Sequence, residues 1–130
     1  MKKPQITMTV IKEDTGYSAT ASVGNRHIFT EGDTFSQLKE NIVEAVNLTF
    51  QDMNLVYTID EIKFTYDIQS FFAFYKVINV TALSARISMN QSLLSQYISG
   101  SKKPSSVQTK RILKGVQQIG RELAEIQFLL

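Results

Sequence analysis

Residues 79–105, NVTALSARISMNQSLLSQYISGSKKPS, set the architecture of the second half of the chain. Apolar residues recur there at helical spacing in two short runs, one around Leu83 and one around Leu93. Asn90, between the runs, is suited to cap the second helix because its side-chain oxygen can accept from an exposed N–H of the first turn. Gly100 is suited to end that helix. The stretch therefore predicts two short helices joined by a tight turn.

The second predicted helix directs uncharged hydrogen-bonding side chains away from its apolar face. These are Gln91, Ser92, Ser95 and Gln96. A side-chain amide can pair with the N6 and N7 edge of adenine in the major groove, so such a helix is suited to read bases directly. Lys102 and Lys103 follow the helix, where a phosphate strand would run. Two helices, a tight turn and a basic exit loop are typical of a helix-turn-helix and indicate DNA binding.

Residues 83–105 resemble the helix-turn-helix of the Cro/C1-type repressors, also known as the Xre type. The matching segments are Leu83-Ser84-Ala85-Arg86-Ile87, the Gln/Ser-rich run 91–96, and the exit from Gly100 to Pro104. Ser88 stands where that family usually has a glycine with a positive φ, at a cost of about 1 kcal/mol. The resemblance implies base contacts from Asn90, Gln91, Ser92, Ser95 and Gln96, and phosphate contacts from Arg86, Lys102, Lys103 and Lys110.

Charge is unevenly distributed along the chain. Residues 1–66 contain six Lys and Arg against nine Asp and Glu, a net charge of −3, whereas residues 67–130 contain eight against three, a net charge of +5. The net charge of +2 for the whole chain conceals this difference. A basic half is attracted to the phosphate backbone and an acidic half is repelled by it, so the second half is the one expected on DNA.

The first half of the chain alternates apolar and polar residues in short segments. Residues 6–11 and 17–23 predict a hairpin, 27–30 a third strand and 61–66 a fourth. Thr34 is suited to cap a helix before the fourth strand, with Gln37 at the capping-box position. The buried face expected for this helix consists of Leu38, Ile42, Ala45, Val46 and Thr49. The predicted fold class is α+β: a β-β-β-α-β domain over residues 1–66, followed by an all-α, lambda-repressor-like helix-turn-helix domain over residues 67–130.

A second resemblance covers the first half of the chain. Gly16-Tyr17-x-Ala19-x-Ala21 and Ile28-x-Thr30-Glu31-Gly32-Asp33-Thr34-x-x-x-Leu38-x-x-Asn41-Ile42-x-Glu44-Ala45 are similar to the HicB antitoxin domain, a truncated ribonuclease-H-like fold. The chain lacks the Pro-x-x-Pro-Gly loop of that family between the second and third strands. The resemblance implies an antitoxin that holds a small ribonuclease toxin of the HicA type and represses its own operon. An acidic domain suits this partner, because a ribonuclease presents a basic surface to RNA.

The sequence indicates no enzyme, and we expect no catalytic residue, metal or cofactor. The chain contains no cysteine, which excludes disulfides and Cys-ligated zinc, and its acidic residues do not converge on a metal-binding pattern. His27 is the only histidine. It could serve as a general base for RNA cleavage, but an ordinary strand residue is the favoured interpretation. No apolar run is long enough for a membrane span, and none follows Met1 to Gln5, so we expect no export and a cytoplasmic location.

Two further helices complete the predicted second domain. Asp67 is suited to cap an aromatic helix that extends to Ile78, expected to be the first helix of that domain. A long helix over residues 106–127 places an apolar stripe on one side: Ile112, Val116, Ile119, Leu123 and Ile126. Part of this stripe is expected to seal a homodimer, because two recognition helices must reach major grooves about 34 Å apart. The alternative function is a non-catalytic interaction module, in which the helical domain mediates oligomerisation and the Gln/Ser row is incidental.

Overall fold

A computed structural model describes residues 3–130 of the chain. It contains one four-stranded sheet and five α-helices, which confirms the α+β class. The chain divides into two compact units between Phe74 and Tyr75, and each unit is described by itself. Residues 1 and 2, with which the expectation about export begins, lie outside the described residues.

The first unit is built on the four-stranded sheet. Its strands are β1 Ile6–Lys12, β2 Tyr17–Val23, β3 Arg26–Gly32 and β4 Ile62–Tyr66; its helices are α1 Phe35–Thr49 and α2 Ile68–Phe74, with 3-10 turns at Gln51–Met53 and Ile59–Glu61. β1, β2 and β3 form the antiparallel hairpins that the alternation predicts. β4 lies parallel to β1, with Ile6 beside Ile62, so the strand order is β3-β2-β1-β4 and the edges are β3 and β4.

One face of this sheet carries the core of the first unit. Alternate residues of β1 and β2 point to the side covered by α1, and the fully buried side chains there include Ile6, Met8, Val10, Leu38, Ile42 and Val46. The predicted capping pair starts α1. The Thr34 hydroxyl accepts from the N–H of Gln37 at 3.1 Å, and the Gln37 side chain accepts from the N–H of Asp33 at 3.0 Å. The opposite sheet face carries exposed side chains such as Thr20, Lys63 and Thr65.

The helix α2 belongs to the first unit, which corrects two expectations. The Ser70 hydroxyl accepts from the N–H of Lys12 at 2.8 Å, and the Phe74 ring lies 4.4 Å from the rings of both Tyr17 and Phe35. The helix ends at Phe74 rather than continuing to Ile78, and the unit boundary lies after it rather than between residues 66 and 67. The reason is that aromatic residues at the end of the sheet offer α2 a packing surface within its own unit.

The second unit is formed by three helices. These are α3 Val80–Arg86, α4 Gln91–Ser99 and α5 Ser106–Ala124. Its buried apolar side chains are Leu83, Met89, Leu94, Tyr97 and Ile112. Along the predicted stripe of α5, Ile112 is buried and Val116 and Ile119 are half-buried, whereas Leu123 and Ile126 are 62% and 53% exposed.

Candidate nucleic-acid interface

The turn between α3 and α4 is tight and is closed by two backbone hydrogen bonds. Ser88 has a φ of +53°, so a non-glycine residue occupies the left-handed conformation at the position that the sequence singles out. The N–H of Ser88 donates to the carbonyl of Ala85 at 3.2 Å, and the N–H of Met89 donates to the carbonyl of Ser84 at 2.9 Å. This pair of bonds is the Schellman arrangement, with Met89 buried behind the turn.

Both ends of α4 are closed as predicted. The Asn90 side chain accepts from the N–H of Leu93 at 3.2 Å, and Gly100 has a φ of +85°. The backbone N–H groups of Gly100 and Lys102 both donate to the carbonyl of Gln96, at 3.1 and 3.2 Å. These bonds fold the exit loop back on the helix and keep Lys102 next to its last turn.

The five residues expected to contact bases are all exposed. Gln91, Ser92, Ser95 and Gln96 lie on the side of α4 opposite the buried Leu94 and Tyr97, and Asn90 lies just before the helix as its N-cap. Two of them also have structural roles. The Asn90 oxygen caps α4, and the Gln91 amide donates to the Thr81 hydroxyl on α3 at 2.8 Å. The structure therefore brings Gln91, Ser92, Ser95 and Gln96 together as the polar face of α4, with Gln91 held in place from α3 and Asn90 at the start of the helix.

The expected phosphate contacts are in two different situations. Lys102 and Lys103 are exposed on the loop after α4, and Lys110 is exposed on α5. Arg86 is instead paired with Glu122 through two hydrogen bonds of 2.8 and 2.9 Å. The expected phosphate contact at Arg86 stays a prediction, and a phosphate at that position must compete with a carboxylate already in place.

Arg111 on α5 is a functional candidate that sequence reasoning missed. Its Nε donates to the carbonyl of Ile87 at 3.0 Å, and its Nη2 donates to the carbonyl of Ser88. A cation is favoured there because the last carbonyls of a helix carry partial negative charge. Arg111 therefore fixes the turn that orients α4. The only signal in the sequence was a basic residue next to the buried stripe position Ile112.

The helices α3 and α5 also approach each other closely at Gly115. A Cβ atom at this position would overlap Cγ2 of Ile87 and lie 3.4 Å from Cδ1 of Leu83. Gly120 lies about one and a half turns further along α5, and a Cβ atom added there would meet no other atom of the described residues within 4 Å. Two residues of α5 therefore support the turn: Gly115 packs closely against Ile87, and Arg111 donates hydrogen bonds to the carbonyls of Ile87 and Ser88.

The charge of the second unit is strongly positive. Residues 75–130 contain eight Lys and Arg but only two Asp and Glu, and both acidic residues, Glu122 and Glu125, lie at the end of α5. The polar face of α4 and its exit loop thus carry lysine charge without a carboxylate in the same segment. Such a surface attracts a polyanion, and the attraction weakens with salt.

His27 and the acidic residues are the side chains considered for catalysis and metal binding. His27 is exposed and pairs with the Ser22 hydroxyl at 2.9 Å. Within residues 3–130, no group of three or more His, Asp and Glu side chains could hold a metal ion. None of the helices in that range has the length and apolar character to cross a bilayer.

Comparisons with known proteins give no further guidance, since no protein-family model, curated protein or solved structure matches this chain. The two resemblances therefore stay predictions drawn from the residues.

We expect Ser88→Gly to raise the free energy of unfolding by about 1 kcal/mol, because glycine adopts the left-handed conformation without a Cβ clash. Urea unfolding followed by circular dichroism measures the change. The matched control is Ser95→Gly in the middle of α4, which should lower stability by about 0.5 kcal/mol. A loss of stability in Ser88→Gly would contradict the positive φ at the turn.

We expect Gly115→Ala and Gly120→Ala to change stability in opposite directions. The first forces a methyl group against the half-buried Ile87 and should cost about 1–3 kcal/mol. The second gains helix propensity without a clash and should add about 0.5–1 kcal/mol. The thermal midpoints of the two variants measure this, and equal shifts would argue against close packing of α3 on α5.

The Arg86–Glu122 pair predicts a dependence of stability on acid. The hydrogen bonds from Arg86, and then from Gln118, lower the pKa of Glu122 from 4.5 to about 2. A lowered folded-state pKa stabilises the protein above pH 4.5, and this contribution disappears as the pH falls toward about 2. The effect is small because both side chains are exposed.

We therefore expect Glu122→Gln to be less stable than the natural protein near neutral pH and to approach it as the pH falls through that range. Urea unfolding across the range measures the difference. Glu125→Gln, which removes a neighbouring carboxylate, is the control. A gap between Glu122→Gln and the natural protein that does not change with pH would refute the assignment.

Proposed function

We propose that the protein is a sequence-specific DNA-binding transcriptional regulator whose second unit is a lambda-repressor-like helix-turn-helix. The observation that carries the proposal is the polar face of α4, where four hydrogen-bonding side chains are exposed, none is charged, and a fifth, Asn90, is exposed at the start of the helix. An ordinary solvated helix face is usually rich in Lys and Glu. Amides and hydroxyls instead suit the donor and acceptor pattern of base edges in the major groove.

The geometry supports a division of roles along the interface. Ser92, Ser95 and Gln96 would reach base edges directly, while Gln91 approaches them already oriented by Thr81. Lys102 and Lys103 would bind phosphates beside the end of α4. Arg86 would also bind a phosphate, but only after its hydrogen bonds to Glu122 are broken. Rigid support from Arg111 lets α4 enter the groove without reordering its turn.

We propose further that the regulator is the antitoxin of a HicAB-type module in the cytoplasm. The first unit supports this through its charge, since residues 1–74 contain six Lys and Arg against ten Asp and Glu. Such a surface suits a small basic ribonuclease. Co-purification of a small basic protein encoded beside this chain tests this part separately from DNA binding.

A second candidate function is oligomerisation through the helical unit. The observation that favours it is the exposed apolar surface at and beyond the end of α5, where Leu123, Ile126 and Phe128 are 62%, 53% and 86% exposed. In that case the α4 face would have no partner of its own. A homodimer built there is also compatible with DNA binding, so DNA binding itself distinguishes the two functions.

Fluorescence anisotropy with the DNA upstream of the coding region, measured against scrambled DNA, tests the proposal. We expect Gln91→Ala with Gln96→Ala to reduce the preference for the upstream DNA by roughly 30-fold to 10,000-fold, because each of the two bidentate amide contacts discriminates by about 1–3 kcal/mol. Lys102→Ala with Lys103→Ala should weaken both DNAs equally and reduce the salt slope by about 2. Lys39→Ala in the first unit serves as the control. Unchanged preference in the glutamine variant would overturn the assignment of α4.

A further inference from the structure

The strand β3 is an edge of the sheet, and no strand within residues 3–130 pairs with its outer side. It pairs only with β2, through a two-residue turn flanked by Val23 and Arg26. In such a hairpin the flanking pair exchanges both backbone hydrogen bonds, and alternate residues turn their N–H and C=O groups outward. His27, Phe29 and Glu31 are therefore the residues with outward-directed backbone groups. The side chain of Asn41 donates to the Glu31 carbonyl at 2.8 Å, which agrees with this phase.

The side chains of the same three residues lie on the sheet face opposite α1. Ile28, the residue between two of them, is buried in the core, whereas His27, Phe29 and Glu31 are all exposed. Phe29 is 65% exposed, although it is a large aromatic residue in the middle of a strand. Apart from the Glu31 carbonyl, which Asn41 holds, the outward backbone groups of this edge pair with no other strand in the described part of the chain, and an edge of this kind with an exposed aromatic side chain is suited to pair with another strand.

The two edges of the sheet differ in their protection. β4 has five residues and carries the exposed Lys63, a common device against unwanted pairing. β3 has seven residues, RHIFTEG, without lysine or proline, and its only strongly basic residue, Arg26, is held by Asp52 at 2.9 and 3.0 Å. Of the two edges, only β4 therefore carries a lysine.

The sequence of β3 is complementary to itself. If two copies run antiparallel about Phe29, each Phe29 lies opposite Phe29 of the partner and each His27 lies opposite Glu31 of the partner. Two aromatic side chains that face each other on neighbouring strands stabilise the pairing, and so do two facing side chains that form a hydrogen bond. When the Ser22 hydroxyl donates to Nδ1 of His27, the ring proton sits on Nε2, which can then donate to the carboxylate of the partner.

We propose that two copies of this chain pair through their β3 edges across a twofold axis and form one continuous eight-stranded sheet. The interaction is isologous, so it closes after two copies and leaves the protected β4 strands as the outer edges. The pairing stands on the first unit alone and does not depend on what α4 binds.

A thiol placed at the axis tests the pairing, because the chain contains no cysteine. Phe29→Cys should be captured as a covalent dimer by mild oxidation or a short bifunctional thiol reagent, without any DNA present. The matched control is Thr20→Cys, which is exposed on the same face and pairs with Phe29 from β2. Its two copies would be about 14 Å apart, three strand spacings of about 4.8 Å. Equal capture of both variants would overturn the proposal.

Exchanging the His27–Glu31 pair tests the register in the uncross-linked protein. His27→Glu should raise the dimer dissociation constant at least tenfold in sedimentation equilibrium, because two carboxylates then face each other. The double variant, His27→Glu with Glu31→His, exchanges the partners and should restore the affinity. Unfolding curves at low protein concentration verify that each variant folds.

The apolar surface at and beyond the end of α5 is the competing dimer surface, and Leu123→Ser with Ile126→Ser and Phe128→Ser disrupts it. A dimer that survives this change but not His27→Glu supports the β3 edge. A dimer with the opposite sensitivity, or a natural protein that stays monomeric at high micromolar concentration, overturns the proposal. If α4 variants lose DNA binding but still form dimers, the proposed function is affected and the β3 pairing is not.

Discussion

The left-handed turn at Ser88 is the constraint on which the candidate interface depends. A residue with a Cβ atom is held there against its preference, and the carbonyls on either side of it are bonded by Arg111 from α5. The Schellman bonds and this cation together remove the freedom of α4 to rotate about the turn. The direction of the polar face is therefore set by α5 as much as by α3.

The local features of the chain could be predicted from sequence because their causes are local. The hairpins follow from alternation, and the starts of α1 and α4 follow from Thr34 and Asn90, whose side chains bond to N–H groups three residues away. The exposure of the α4 face follows in the same way from the spacing of Leu94 and Tyr97. A cap or an amphipathic pattern carries its partner within one or two turns of helix, so single-sequence reasoning reaches it.

The features that could not be predicted depend on residues distant in sequence. The aromatic pattern of α2 shows that it must pack, but not that Tyr17 and Phe35 receive it. Arg86 resembles any basic residue near a helix end, and its partner Glu122 lies 36 positions away. Arg111 is comparable, since the carbonyls that it binds belong to another helix. Charge alone could not separate a lysine available to a phosphate from an arginine already paired.

The parallel pairing of β1 with β4 has a consequence for the order in which the first unit assembles. Ile6 on β1 pairs with Ile62 on β4, and Ile62 is synthesised after β1, β2, β3 and α1. The backbone groups on one side of β1 therefore have no partner strand until β4 is made. Contacts this far apart in sequence form late, because closing the intervening chain is entropically costly. Arrival of β4 turns β1 from a border strand into an interior one. A nascent chain that stalls before residue 62 would therefore expose β1 as an edge strand, which the finished protein covers with β4.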